Sequence, residues 1–192
     1  MTGWRRLAAV AALASLGIAA APPACAQAKR AAAGASAAAA GTAVYAERFR
    51  TVCAACHGTD GRGDIPGTPV LAGQYSLYTI TQLFLFREGR RNNDAMVALA
   101  KQMKDADLRG FSDFIGTLPA VPAPPPSRPL DAARMSKGQT LAQQHKCTFC
   151  HGTDLAGGQQ VPRIGGQKED YLLMTLQGFK SGDRPEIGRA HV

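Results

Sequence analysis

With its first 26 residues set aside the chain has no tryptophan, since its one Trp is Trp4, and no cysteine to spare. Of five cysteines, Cys25 falls in that leading segment; the others, Cys53, Cys56, Cys147 and Cys150, form two Cys-x-x-Cys pairs. Nothing is left for a structural disulfide or a free thiol. Neither pair lies in an alternating strand pattern, which excludes a thioredoxin-type redox pair set beside a βαβ unit. The pairs are about ninety residues apart, whereas those of a zinc ribbon lie about 15 to 20 apart. The spacing disfavours zinc.

What is present is the same short stretch twice. Cys53-Ala54-Ala55-Cys56-His57 and Cys147-Thr148-Phe149-Cys150-His151 are each followed by Gly-Thr-Asp. Cys-x-x-Cys-His fits covalent c-type haem attachment: one helical turn lets both thiols reach the two vinyl groups while the adjacent imidazole meets the iron. The motif therefore implies two covalently attached haem c groups, with His57 and His151 as proximal iron ligands.

The N-terminus has a charged start with Arg5 and Arg6, an apolar run from Leu7 to about Ala21, then Pro22, Pro23 and an Ala24-Cys25-Ala26 cleavage site. This pattern predicts a signal peptide over 1–26 and a periplasmic mature protein, in the compartment where haem attachment occurs. Cleavage takes the formal charge from +8 to +6 by removing Arg5 and Arg6, and four haem propionates would lower it further. The basic balance therefore gives no case for a nucleic-acid partner, and Arg87, Arg90, Arg91, Lys101 and Lys104 read first as a solvated face. A docking patch for an acidic redox partner, or pairing of an arginine with a propionate, is the alternative.

Residues 27–42, nearly all Ala and Gly, offer no apolar stripe to dock and read as a mobile lead-in. From Ala43 a helical stripe of Tyr45, Phe49, Val52 and Cys56 leads into the first motif. A glycine- and proline-rich loop follows, passing close to a flat porphyrin. A helix over Gln74–Arg87 should bury Leu77, Ile80, Leu83 and Phe84 and end at Gly89. A polar loop, Arg90–Asp94, leads to Met96. The last helix of this domain, 43–118, runs from Asp105 to Leu118, with Asp105 and Asp107 favourable to its dipole and Leu108, Phe111, Ile115 and Leu118 on its buried side. Residues 119–130 are a proline-rich linker that extends at about 3.1 Å per residue.

The second domain, 131–192, repeats the first. Pro69, Leu71, Gly73, Gln74, Tyr78, Leu83, Phe86 and Gly89 recur as Pro162, Ile164, Gly166, Gln167, Tyr171, Leu176, Phe179 and Gly182. Pro-x-Leu-Ala-Gly-Gln, a tyrosine, then Gln-Leu-x-x-Phe-Arg-Glu-Gly-x-Arg resembles the dihaem cytochrome c4 family and its single-domain c553-like relatives. The resemblance covers the chain from about Ala43 onward. It implies an all-α fold of two tandem class I cytochrome c lobes acting as an electron carrier. Pro69 and Pro162 would then each offer a carbonyl to the proximal histidine's second nitrogen. The place of Met96 matches the family's ligand methionine, with a core methionine as the alternative; Met103 falls where the family has a packing Leu.

Lobe two departs from the pattern. The sequence stops at Val192 before any counterpart of Met96 or of the closing helix, so lobe two is read as incomplete, most simply because the natural protein is longer. Met174 matches Thr81 in mid-helix and reads as core, while His191 is the other residue near the expected ligand position. A second haem left five-coordinate, open to a small ligand or to peroxide, is the sharper alternative. No distal acid–base group of a peroxidase is identifiable, so the chain is read as a carrier and not an enzyme. The partners expected are redox proteins: a quinol-oxidising complex, a terminal oxidase or a dehydrogenase, with a loose membrane association only through such a partner. Membership of a periplasmic dehydrogenase or oxidase complex is the second reading.

Overall fold

The computed structural model describes residues 40–63, 65–122, 125, 129 and 131–184. The segment read as a signal peptide, Cys25, most of the lead-in, much of the linker and His191 lie outside the described residues.

Lobe one contains five helices: α1 over residues 40–52, α2 at Ala54–His57, α3 at Ser76–Arg87, α4 at Asp94–Ala100 and α5 at Asp105–Thr117. Lobe two has three: α6 at Ala132–Gln144, α7 at Cys147–His151 and α8 at Glu169–Ser181. The described residues hold no strand, only a single antiparallel bridge between Gly158 and Val161. No described helix is long and apolar enough to cross a membrane.

The core belongs to lobe one. Phe49, Leu83, Phe86, Ala100, Met103, Leu108, Phe111 and Ile115 form one buried cluster from α1, α3, α4, α5 and the turn before α5. The crossing of α1 on α5 depends on a missing side chain: a Cβ on Gly110 would lie 1.9 Å from the Tyr45 ring. With hydrogen there, Tyr45 meets Phe111 edge-on at 5.1 Å and its hydroxyl donates to the Ala106 carbonyl at 2.9 Å. Arg48 caps this contact, ion-paired to Asp107 and lying 4.9 Å from the Tyr45 ring centroid.

Several expectations need correcting. Leu77 and Phe84 are exposed, because α3 turns the face carrying Thr79, Leu83 and Phe86 inward against α4 and α5. Val52 is exposed at the end of α1, with Phe49 alone of the stripe fully enclosed. Residues 40–42, assigned to the lead-in, are already helical, in keeping with alanine's propensity. Met96 sits within α4 and not at a loop's end: the Asn93 side chain accepts the Met96 N–H at 2.9 Å and starts a helix that the polar composition concealed. Met174 is half-exposed and not core.

The lobes meet along a seam of paired contacts. Gln167 accepts the Val70 N–H at 2.9 Å and donates to the Val70 carbonyl at 3.0 Å. Gln74, its repeat counterpart, accepts the Arg163 N–H at 3.1 Å and donates to the Arg163 carbonyl at 2.6 Å. Arg91 donates to the Tyr171 hydroxyl at 2.7 Å, and its counterpart Arg184 donates to the Tyr78 hydroxyl at 3.2 Å. Such reciprocity is what a two-fold relation between duplicated units produces. Tyr171 is the one buried apolar residue of lobe two among those described, and its burial comes from this seam. Elsewhere α6 and α8 leave Met135, Leu141, Leu173, Leu176 and Phe179 exposed.

Candidate functional site

In lobe one the last turn of α1 runs directly into the motif. Cys53 donates its N–H to Phe49 O at 2.8 Å, and the His57 N–H returns to Cys53 O at 3.0 Å, so one turn carries both cysteines and the histidine. Cys56 is exposed and Cys53 partly buried, neither in a disulfide. Burial pushes the Cys53 thiol up to about 11, so it stays protonated at neutral pH.

His57 is buried, and its Nδ1 lies 3.2 Å from the Pro69 carbonyl oxygen. That contact orients the ring and leaves Nε2 for a ligand role. Burial holds the His57 pKa below its usual value even though the Pro69 contact opposes this, which favours the neutral imidazole an iron ligand must be. The loop delivering Pro69 is pinned by Gly63, whose N–H donates to His57 O at 2.7 Å. At φ +67° a Cβ there would come 2.7 Å from the Pro69 oxygen itself, so glycine is required where the backbone folds over its own carbonyl.

A narrow apolar cavity opens at His57, lined by Cys53, Leu71, Leu83, Met96, Leu99, Met103, Phe111 and Ile115. It brings His57 and Met96 to one space. Met103 lines it too, supplied by the turn between α4 and α5, a neighbour that motif reading treats only as packing.

Lobe two repeats the motif geometry with a shorter return loop. His151 Nδ1 lies 2.9 Å from the Pro162 oxygen, and the Gly157 N–H donates to His151 O at 2.8 Å. Where lobe one has Gly61 at φ +77°, lobe two has Leu155 at φ +57°; the missing residue falls later, between Gly157 and Pro162, where Gln159 takes φ +47°. Both nonetheless use their carbonyls alike, Gly61 O accepting from Leu71 and Ala72, Leu155 O from Ile164 and Gly165. Cys147 and Cys150 are exposed and Phe149 is 87% exposed. The methionines of lobe two among the described residues, Met135 and Met174, are both exposed.

Each site therefore offers two thiols outside any disulfide, one oriented imidazole and a loop whose glycine permits close approach, a donor set that fits a covalently held porphyrin. A further observation concerns Arg163, whose Nε is buried without a hydrogen-bond partner.

Comparison with known proteins agrees with this geometry. The family model described as Cytochrome c matches residues 38–119 and again 135–191. The chain is 32% identical to the cytochrome c4 of Thiocapsa roseopersicina over 143 residues, covering 69% of this chain and 71% of that protein. It is 32% identical to a protein of Thiomonas intermedia named thiosulfate dehydrogenase electron acceptor, covering 69% of this chain and 64% of that one. The crystal structure of reduced recombinant cytochrome c4 from Pseudomonas stutzeri superposes with a TM-score of 0.66 at 26% identity, over 75% of this chain and 82% of that structure's.

Proposed function

The chain belongs to the dihaem cytochrome c4 family, electron-transfer proteins with two covalently attached haem c groups, and from that premise we propose that it is a periplasmic carrier of single electrons between respiratory redox proteins. The observation that supports this most is the shared cavity of His57 and Met96, closed by Leu71, Leu83, Leu99, Phe111 and Ile115. When bound there, the haem supplies a one-electron change at its iron.

The residues of this chain hold and tune that centre. Cys53 and Cys56 would anchor the first haem and Cys147 and Cys150 the second, with His57 and His151 as their respective ligands, the rings fixed by Pro69 and Pro162. Met96 would supply a thioether to the first, which favours the reduced iron, as electron transfer requires. The apolar lining excludes water, so little has to reorganise when the charge changes. The signal peptide read over 1–26 supports a periplasmic location, where a quinol-oxidising complex and a terminal oxidase are suited as partners. The relative named as an electron acceptor for thiosulfate dehydrogenase supports a second reading, in which the donor is a periplasmic dehydrogenase.

The test is a haem count and a visible spectrum of the reduced protein with and without carbon monoxide. Two haems per chain with lobe one unresponsive are expected, and Met96→Ala should make lobe one responsive. A wild-type lobe one that takes carbon monoxide would overturn the role of Met96. A response from lobe two alone would show an open position there, and repeating the measurement on a chain extended past Val192 would tell a missing ligand from a ligand-binding site.

A further inference from the structure

The lobes are copies of one unit, so a place where they differ in charge is informative. Val70 follows Pro69; at the same repeat position Arg163 follows Pro162. Both occupy one station, since the backbone N–H and C=O of each are held by a glutamine of the opposite lobe. Val70 is buried and apolar. Arg163 brings a guanidinium to the same place, and its Nε is enclosed with no hydrogen-bond partner in the protein. Arg163 as a whole is only partly buried, but its enclosed Nε is a charged donor left without an acceptor, which is unfavourable, so an acceptor from outside the polypeptide fits there. Arg163 is one residue from the Pro162 carbonyl that orients His151. The group held at His151 carries two carboxylates.

We propose that Arg163 pairs with a propionate of the second haem and holds that haem's reduction potential above the value lobe two would otherwise have. The proposal rests on the reading that His151 ligates a haem. The oxidised iron carries one more positive charge than the reduced one, so an uncompensated carboxylate nearby stabilises the oxidised state. A guanidinium bonded to that carboxylate cancels the effect through a charge-assisted bond. At this repeat position lobe one has no equivalent, because Val70 can pair with nothing; the cation that approaches His57 is Lys168, whose ammonium is held by the Gly63 and Ile65 carbonyls. Arg163 thus gives the second centre a charge that its repeat position does not give the first.

Redox titration of the full-length holoprotein, followed optically, tests this. Gln74 holds only the backbone of Arg163, so side-chain substitution leaves the seam's hydrogen bonds in place. In Arg163→Gln one of the two one-electron waves should move to lower potential while the other stays; Arg163→Lys, which keeps the charge, should hold the wave near its original position. Both waves unmoved in Arg163→Gln at two haems per chain would overturn the proposal. So would both moving together, or Lys behaving as Gln does, because either marks a structural role. One haem per chain in the unsubstituted protein would instead overturn the underlying reading of His151.

Discussion

Gln74 and Gln167 perform one task from opposite sides of the interlobe seam: each side chain clamps the N–H and C=O of the residue that follows the other lobe's histidine-orienting proline. Each glutamine thus connects its own lobe to the strip of backbone that fixes the other lobe's imidazole. Gln74 is buried, and the motif Gly-Gln that supplies it recurs in both halves.

Replacing Gln74 by Leu removes two hydrogen bonds and leaves the N–H and C=O of Arg163 unpaired. With unsatisfied buried groups costing about 1–3 kcal/mol each, the lobes should come apart more readily. Thermal unfolding followed at the haem bands should then resolve into two transitions where the unsubstituted protein shows one. A single unshifted transition would show that the clamp contributes nothing to docking.

Asn93 is the acceptor that starts α4 and so places Met96. Asn93→Ala should destabilise lobe one by about 1 kcal/mol, the usual value of such a cap, with the haem count kept at two. Denaturant titration of the holoprotein measures it, and an unchanged midpoint would deny Asn93 that role.

Gly110→Ala should be far more damaging than an ordinary helix substitution. Alanine is the better helix former, yet its Cβ would occupy the Tyr45 ring position. Loss of about 1–3 kcal/mol is expected from overpacking. Pairing it with Tyr45→Ala should recover part of the loss, and failure to do so would point away from this contact.

Leu155→Gly should act in the opposite sense. Leucine at φ +57° carries about 1–2 kcal/mol of strain that glycine relieves, offset in part by the freer unfolded chain. A net gain of a few tenths to about 1 kcal/mol in lobe two is expected, read as a higher unfolding midpoint; a lower one would show that strain is not the governing factor.

Asp107 adds a pH dependence. Its hydrogen bond from Arg48, with help from the Lys104 backbone N–H, holds its carboxyl below the usual carboxylate value, 3.8. A depressed folded value means the stabilisation is complete above about pH 4 and is lost as pH falls through the folded value. Asp107→Asn should flatten the acid limb of the stability profile below pH 4 relative to the parent. Identical limbs would leave the ion pair without effect. The pair is partly solvated, so the effect should shrink in high salt.

The attachment motifs are a local signal. Covalent haem attachment needs two thiols and a histidine within one helical turn, and that requirement is local, so Cys53, Cys56, His57, Cys147, Cys150 and His151 are legible from spacing alone. The duplication is legible for the same reason, since repeats survive as matched residues. Gly89 and Gly182 likewise announce the ends of α3 and α8, because a left-handed terminus is a property of a few adjacent residues. Contacts between residues far apart in the chain are set by how the helices pack, which no local pattern encodes. That packing turned Thr79 inward and left Leu77 and Phe84 exposed, since α3 must face α4 and α5 at once. It made Gly110 a contact surface for Tyr45, and drew Gln74 out of the helix it seemed to begin, into the seam. It also enclosed the Arg163 Nε, without a hydrogen-bond partner, beside the residue that orients His151, which nothing in the local sequence announces.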